Sequence, residues 1–301
     1  MQSAGQYHHL IAGGSGGFLS TLVLHPMDLL KIRFAVNEGN AKVRPQYRSY
    51  WHAAKNIVRS QGFLALYQGA TPNVVGNMAA WGLYLEFYSM IKGMFGSEES
   101  RQLTAGHRLL GGTLAGAATL ALTNPIWVAK TRLCLQYENQ RSRYSGFLDT
   151  VWKTYKSEGI RGWYKGFVPG LLGTTHGAVQ IMVYEELKLF YCRYRQIPSN
   201  SKLVHITAAS TLDTAPYLVF SAVSKMIAAF GTYPYQVVRS RLQDQHVKYN
   251  GVTDVIRRTW QLEGLYGFYK GLLPTLVRVT PACCITFVVY ENVLYLFSSK
   301  S

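Results

Sequence analysis

Pro26-Met27-Asp28-Leu29-Leu30-Lys31 decides the reading of this chain, because the pattern returns twice. It reappears as Pro125-Ile126-Trp127-Val128-Ala129-Lys130 and as Pro234-Tyr235-Gln236-Val237-Val238-Arg239. The prolines stand 99 and 109 residues apart. Each copy closes an apolar stretch and opens a basic one. A glycine-bounded segment follows each proline: Gly62 to Gly69, Gly159 to Gly166 and Gly264 to Gly271. Between the two markers sit Tyr47-Arg48-Ser49, Tyr144-Ser145-Gly146 and Tyr249-Asn250-Gly251. Three markers in one order, three times, mean one structural unit copied three times. The units divide at residues 1–98, 99–197 and 198–301.

The chain has 301 residues, a formal net charge of +16 and a mean hydropathy near zero. That charge admits a nucleic acid, an anionic membrane surface or an acidic small molecule as partner. Charged residues make up only 15%, against about 25% in soluble domains. The charges also cluster between apolar blocks, which favours a membrane. Cys134, Cys192, Cys283 and Cys284 have neither metal-ligand spacing nor a disulfide framework. Met1 to His9 carries no basic n-region and no cleavage site, so targeting information is expected elsewhere in the chain.

Each unit holds two apolar stretches. The first of each pair covers roughly residues 8–35, 106–135 and 216–243. The second covers roughly 72–95, 169–190 and 274–297. All six are long enough to cross a hydrocarbon core of ~30 Å as helices. Polar residues interrupt them, as in helices that line a polar cavity. Residues 51–60, 148–157 and 252–262 have apolar positions at helical spacing, with Phe147, Val151, Trp152 and Tyr155 marking the second. Being short and basic, they read as helices lying in the membrane interface. The connection from 191 to 215 reads as a loop that partly extends the fifth helix. The expectation is an all-α membrane protein: six transmembrane helices in three pseudosymmetric repeats, with three short amphipathic helices on one side.

Proline removes a helix hydrogen bond and kinks the rod. Asp28 and Lys31 lie at i, i+3 on one face. Three such kinked helices around a threefold axis would gather their charges and close one end of a cavity. Small residues four apart, Gly13 with Gly17 and Gly112 with Gly116, suit close helix contact in lipid. Ser221 and Lys225 take those positions in the third copy. An ammonium inside an apolar stretch is either functional or snorkels to an interface.

These motifs resemble those of the mitochondrial carrier family over the whole chain. The resemblance implies a monomeric, multi-pass bundle in the mitochondrial inner membrane with two gates opened in alternation. It assigns a matrix gate to Asp28, Lys31, Trp127, Lys130, Gln236 and Arg239, with Gln243 as a glutamine brace. The family's acid survives only at Asp28, so Asp28 is expected to meet Lys130, while Lys31 and Arg239 lack acids. The cytoplasmic gate falls on Ser89, Lys92, Glu185, Lys188 and Glu291, with Glu291 and Lys92 the one full ion pair. Each gate then keeps about one ionic link. Cardiolipin sites fall on Gly69, Gly146, Gly166, Gly251 and Gly271, with Ser49 replacing one glycine.

Trp127 at the second acid position resembles family members that carry nucleotide-like and vitamin-derived cofactors. His25–Val36, Thr232–Arg239, Arg241–Asp244 and Arg278–Cys284 most resemble those that carry folate and FAD. Threefold alignment puts Gly76, Leu172 with Gly173, and Arg278 at the family's substrate-contact height. A guanidinium at 278 suits a phosphate or carboxylate. Gly76 and Gly173 are expected to leave room for a bulky ligand. Trp81, Tyr84 and His176 lie on nearby turns, where stacking on a fused ring and ordinary packing are both open. The cargo expected is FAD, a folate, or both, carried rather than kept as a cofactor, with NAD or a pyrimidine nucleotide as the alternative. No nucleophile–base pair or phosphate loop points to an enzyme. Six spanning-length stretches argue against a nucleic-acid binder.

Overall fold

The computed structural model describes residues 14–38, 45, 47, 49–95, 105–137, 143–194 and 214–298. Every regular element among them is helical. The helix over residues 14–23 (α1) turns at Leu24 into α2, His25–Ala35. Then come α3 (Tyr50–Gln61), a 3-10 turn (Phe63–Tyr67), α4 (Ala70–Phe95) and α5 (Ala105–Cys134). They are followed by α6 (Phe147–Trp163), α7 (Phe167–Leu172), α8 (Thr175–Tyr194), α9 (Thr214–Gln243), α10 (Val252–Gly267) and α11 (Leu272–Ser298). Six long rods result: α1–α2, α4, α5, α7–α8, α9 and α11. Neighbours in sequence pack side by side, and α11 returns to α2 to close a ring. The expected 191–215 connection is helical to Tyr194 and from Thr214, and residues 195–213 lie outside the described residues.

The amphipathic segments form α3, α6 and α10. Ser49 caps the first, its Oγ accepting from the His52 N–H at 3.1 Å, which satisfies one of the helix's orphan donors. Its φ of −153° is ordinary extended backbone, so serine replaces glycine there without strain. In the other copies Asp149 and Asp254 reach back to the N–H groups of Ser145 and Asn250.

Two expectations need correcting. Among the described residues, only Leu272–Tyr290 is both long and apolar enough to cross a bilayer on composition. Helices α1 and α2 are each too short on their own, while α4, α5, α8 and α9 have the length but are too polar over it, with Lys225 and Arg239 on α9 as examples. They nevertheless expose large apolar residues, among them Leu114, Leu122, Val219 and Phe230. The glycine pairs also differ from expectation. A Cβ on Gly17 would meet nothing, whereas one on Gly16 would lie 2.8 Å from the Thr286 carbonyl oxygen, so α11 packs on Gly16. Gly112 and Gly116 face Tyr84 and Thr174, and Gly13 lies outside the described residues.

The glycine-bounded segments have a backbone cause. Gly62, Gly159 and Gly264 have φ of 82°, 66° and 62°, and Gly69, Gly166 and Gly271 have 83°, 74° and 88°. All six occupy the left-handed region, where a Cβ is strained. The second set is also crowded. A Cβ on Gly69 would lie 3.1 Å from the Lys130 carbonyl oxygen. On Gly166 it would lie 3.1 Å from that of Arg239, and on Gly271 2.7 Å from that of Lys31. Each loop therefore presses on the backbone of the basic residue that ends another unit's proline motif.

A buried arginine stands seven residues after each proline: Arg33, Arg132 and Arg241. Arg132 pairs with Glu158 at 2.7 Å and Arg241 with Glu263 at 2.8 Å. Lys165 and Lys270 join the same carboxylates at 3.0 and 3.1 Å. The first unit has Gln61 and Gln68 where the others have the glutamate and the lysine. Gln68 donates to Gln61 at 3.1 Å, and Arg33 donates to Gln68 and to the carbonyls of Cys134 and Gln136.

Two predictions follow from the glycines and the arginine joints. Gly62→Ala, in open space, should cost about 1–3 kcal/mol from its backbone at φ 82°, ψ 171° alone. Gly271→Ala should cost clearly more, read as a larger drop in melting temperature in detergent, and equal drops would remove the carbonyl contact as the cause. Burial pushes the Glu158 carboxyl up, but Arg132 and Lys165 hold it below the ordinary glutamate value. Its contribution is then complete above that value and is lost as pH falls through the lowered one. Melting temperature against pH should show an acid limb that Glu158→Gln diminishes, and an unaltered limb would rule this joint out as its source.

Candidate functional site

The proline ends of α2, α5 and α9 meet one another pairwise. The residue before each proline ties its helix to a backbone carbonyl in the glycine-bounded segment of its own unit. His25 Nε2 donates to Gln68 at 3.0 Å, Asn124 to Trp163 at 2.6 Å and the Tyr233 hydroxyl to Lys270 at 3.2 Å. A carbonyl can only accept, so His25 carries its proton on Nε2. Its Nδ1 is then free to accept from Asn73 at 3.3 Å.

Asp28 is buried at the centre of this convergence. One carboxylate oxygen takes the Asn73 amide at 3.1 Å and lies 3.7 Å from Lys130 Nζ. The other is 2.8 Å from Arg278 Nη1. The sequence led us to expect one cationic partner for Asp28, and the fold supplies two. Lys31 donates to Gln236 at 2.8 Å, and Arg239 donates to Asn124 at 3.3 Å. Both cations without acids thus find amides. Lys130 also sits 5.5 Å from the centre of the Trp127 ring, within cation–π range. Gln243 accepts from Thr131 at 2.7 Å and donates to the Lys165 carbonyl at 3.3 Å. Three cations (Lys31, Lys130 and Arg278) therefore act on one carboxylate, and Arg239 is held apart from it by Asn124.

The expected room beside Gly76 and Gly173 is taken within the chain. A Cβ on Gly76 would meet Ile126 at 3.2 Å and the Trp127 ring at 3.4 Å. One on Gly173 would meet the Tyr235 ring at 3.1 Å. Leu172 is exposed. Trp81 is exposed and stands edge-on to Tyr84, which stacks on Tyr88. His176 Nδ1 is bonded to the Thr232 hydroxyl at 2.8 Å, and Lys225 is half-buried on α9.

Ser89, Lys92 and Glu185 are exposed and Lys188 is half-buried. The Glu291 side chain lies outside the described residues, so its expected pairing with Lys92 is not described. Of the five glycines assigned to cardiolipin, Gly69, Gly166 and Gly271 precede the even rods in left-handed backbone. Gly251 has φ 135°, and Gly146, at φ 177°, is extended.

Sequence reasoning passed over Asn73, the residue before each proline, and the Arg278–Asp28 bond. It also passed over Arg33, Arg132 and Arg241. Aligning the units position by position would have exposed the arginines at seven after the proline. The bond between residues 28 and 278 has no local signal.

The family described as mitochondrial carrier protein matches the chain three times, over residues 2–99, 101–195 and 210–301. A folate transporter of Arabidopsis thaliana, described as chloroplastic, is 39% identical over 98% of this chain and 97% of its own length. The mitochondrial FAD carrier of Saccharomyces cerevisiae is 32% identical, covering 94% of each chain. A mitochondrial nicotinamide adenine dinucleotide transporter of the same yeast is 35% identical over 93% of this chain and 74% of its own length.

Arg278→Gln should destabilise the protein more than Lys130→Gln, because the guanidinium sits 0.9 Å closer to the carboxylate. Asp28→Asn should exceed both, since it leaves two cations facing each other. Loss of a buried pair's partner costs about 3–5 kcal/mol, a loosely held pair about 0.2–1 kcal/mol. Thermal unfolding of the three variants checks the order, and Lys130→Gln costing the most would overturn it.

Proposed function

The chain belongs to the mitochondrial carrier protein family, and on that premise we propose that it carries FAD, a folate, or both across the mitochondrial inner membrane by alternating access. Its three units, residues 1–98, 99–197 and 198–301, supply six spanning rods that rock around a central cargo site. It works as a monomer among lipids, with cardiolipin held at Gly69, Gly146, Gly166, Gly251 and Gly271. The observation that carries the reading is the excess of cations at Asp28, where Lys31, Lys130 and Arg278 act on a single carboxylate. A site with that balance attracts an anion, and both cargoes are anionic with fused aromatic rings. Trp127, Tyr235, Trp81 and Tyr84 offer ring faces along the same rods. The 39% identity to a folate transporter adds support.

Asp28, Lys31, Trp127, Lys130, Gln236 and Arg239 form the matrix gate, braced by Gln243. Ser89, Lys92, Glu185, Lys188 and Glu291 form the cytoplasmic gate. Gly76, Trp81, Tyr84, Leu172, Gly173, His176, Lys225 and Arg278 surround the cargo. In the empty carrier Arg278 is held by Asp28. A cargo phosphate or carboxylate competes for that guanidinium, takes one cation from Asp28 and so loosens the gate. Identity to an NAD transporter, 35%, exceeds the 32% to the FAD carrier, so NAD is the second reading. A chloroplast membrane is the alternative site of action, on the printed location of the folate relative.

Uptake of labelled FAD and of a reduced folate into liposomes containing the purified protein tests the reading, with NAD and pyrimidine nucleotides as competitors. Saturable uptake of FAD or folate, lowered at least tenfold by Arg278→Ala, is the expected result. Uptake of NAD or a nucleotide alone would keep the family and discard this cargo.

A further inference from the structure

The hydrogen bonding of His176 fixes which of its nitrogens faces a ligand. Thr232 lies on α9, two residues before Pro234. Its Oγ1 is 2.6 Å from the carbonyl oxygen of Ala228, one turn earlier. Two oxygens that close need a proton between them, and a carbonyl has none to give. The single hydroxyl proton of Thr232 is therefore spent on Ala228. His176 Nδ1 lies 2.8 Å from the same Oγ1, so Nδ1 must be the donor. The neutral ring then carries its lone pair on Nε2, by the rule that one nitrogen's hydrogen bond sets the state of the other. The Ala228 carbonyl that Thr232 holds also lies close to the ring, and among the described residues no side chain bonds to Nε2, which is not sealed from solvent.

The backbone holds this ring in place. α7 ends at Leu172 and α8 starts at Thr175. In the turn between them Gly173 lies against Tyr235, and its carbonyl takes the His176 N–H at 3.2 Å. Lys225 precedes Thr232 by seven residues and so shares its face of α9, about 10 Å away along the axis. An elongated cargo lying on that face would meet an ammonium at one end and an unpaired acceptor at the other.

We propose that His176 is a specificity-determining residue: its Nε2 accepts an N–H from the heterocycle of the cargo, and Thr232 is the positioning residue that sets the tautomer. The inference rests on the cofactor-carrier reading above. Flavins and pterins both present a ring N–H flanked by a carbonyl, which is the donor such an acceptor selects.

The test compares binding of FAD and its N3-methyl analogue, in which that donor is capped, by competition in liposomes and by ligand-induced thermal shift. Wild type should prefer FAD by roughly three- to tenfold, the range of one partly solvated hydrogen bond. His176→Leu should bring the ratio to about one. His176→Gln, which keeps an acceptor, should retain part of the preference, and Thr232→Val should weaken it. A wild-type ratio near one, or an unchanged ratio in His176→Leu, would overturn the proposal while FAD uptake still stood. If NAD is bound and FAD is not, the cargo reading fails. The proposal is then decided by the same variants on NAD against its N-methylated carboxamide, where a ratio that His176→Leu leaves unchanged overturns it.

Discussion

Three glycines pressed against three helix carbonyls set the spacing on which this bundle depends. Gly69, Gly166 and Gly271 need a left-handed backbone, and each stands where a Cβ would crowd the carbonyl of Lys130, Arg239 or Lys31. Strain and crowding act together, so no other residue fits without moving a helix. The carbonyls belong to the basic residues of the proline motifs. The same contact that joins one unit to another therefore fixes the height and azimuth of Lys31, Lys130 and Arg239. Their side chains converge because their backbones are clamped, and the charge cluster is a consequence of that clamping.

Beneath the cluster lies a second polar layer whose chemistry follows from one more glycine. Glu158 and Glu263 fold back onto Arg132 and Arg241 across Gly162 and Gly267. A Cβ there would fall 2.9 and 2.6 Å from the carboxylate oxygens. The first unit has Ala65 at that position and Gln61 in place of the glutamate. Its lysine position is also neutral, as Gln68. All three positions differ together, and among the described residues Arg33 donates to amide and carbonyl oxygens. An arginine, a glutamate and a lysine carry a net +1, and removing the carboxylate alone would leave two cations facing each other. Replacing glutamate and lysine together by glutamine leaves that net charge unchanged.

Much of this architecture was legible in the sequence because it repeats. The proline motifs, the glycine-bounded segments and the amphipathic stretches fell where α2, α5, α9 and α3, α6, α10 now lie. Whatever depended on contacts between distant residues stayed hidden. Asp28 and Arg278 are 250 residues apart in the chain, and nothing local marks them as partners. Spacing alone put Gly17 at a helix contact, but the azimuth of α11 selects Gly16. Composition misled differently. Six helical rods stand where the apolar stretches were read, yet polar side chains on α4, α5, α8 and α9 lower their apolar character below what a lone spanning helix requires, and the first rod is broken at Leu24. In a bundle those groups bond to one another, as Thr131 does with Gln243.

On the reading proposed above, the bond between Arg278 and Asp28 lets few ions both hold a gate and bind a cargo. Lys130 stands 3.7 Å from the carboxylate, too far for a strong hydrogen bond, and holds it mainly by charge. Arg278 supplies the shorter link at 2.8 Å, while its Nε is buried without a partner. A guanidinium bound on one edge and unsatisfied on another has donors to offer a phosphate. On the reading proposed here, the anion gains hydrogen bonds that Asp28 alone cannot give. Asp28 is left with Lys130 and Asn73, a pairing too loose to lock three helices. With a single strong ionic link, cargo needs to displace only one bond, and three amide-mediated contacts (Lys31 with Gln236, Arg239 with Asn124, Thr131 with Gln243) can then part at small cost each. A gate with three full ion pairs would need far more binding energy to open. On that reading, Trp127 and Gln236, neutral at positions matching Asp28, leave fewer ion pairs for an anionic cargo to break.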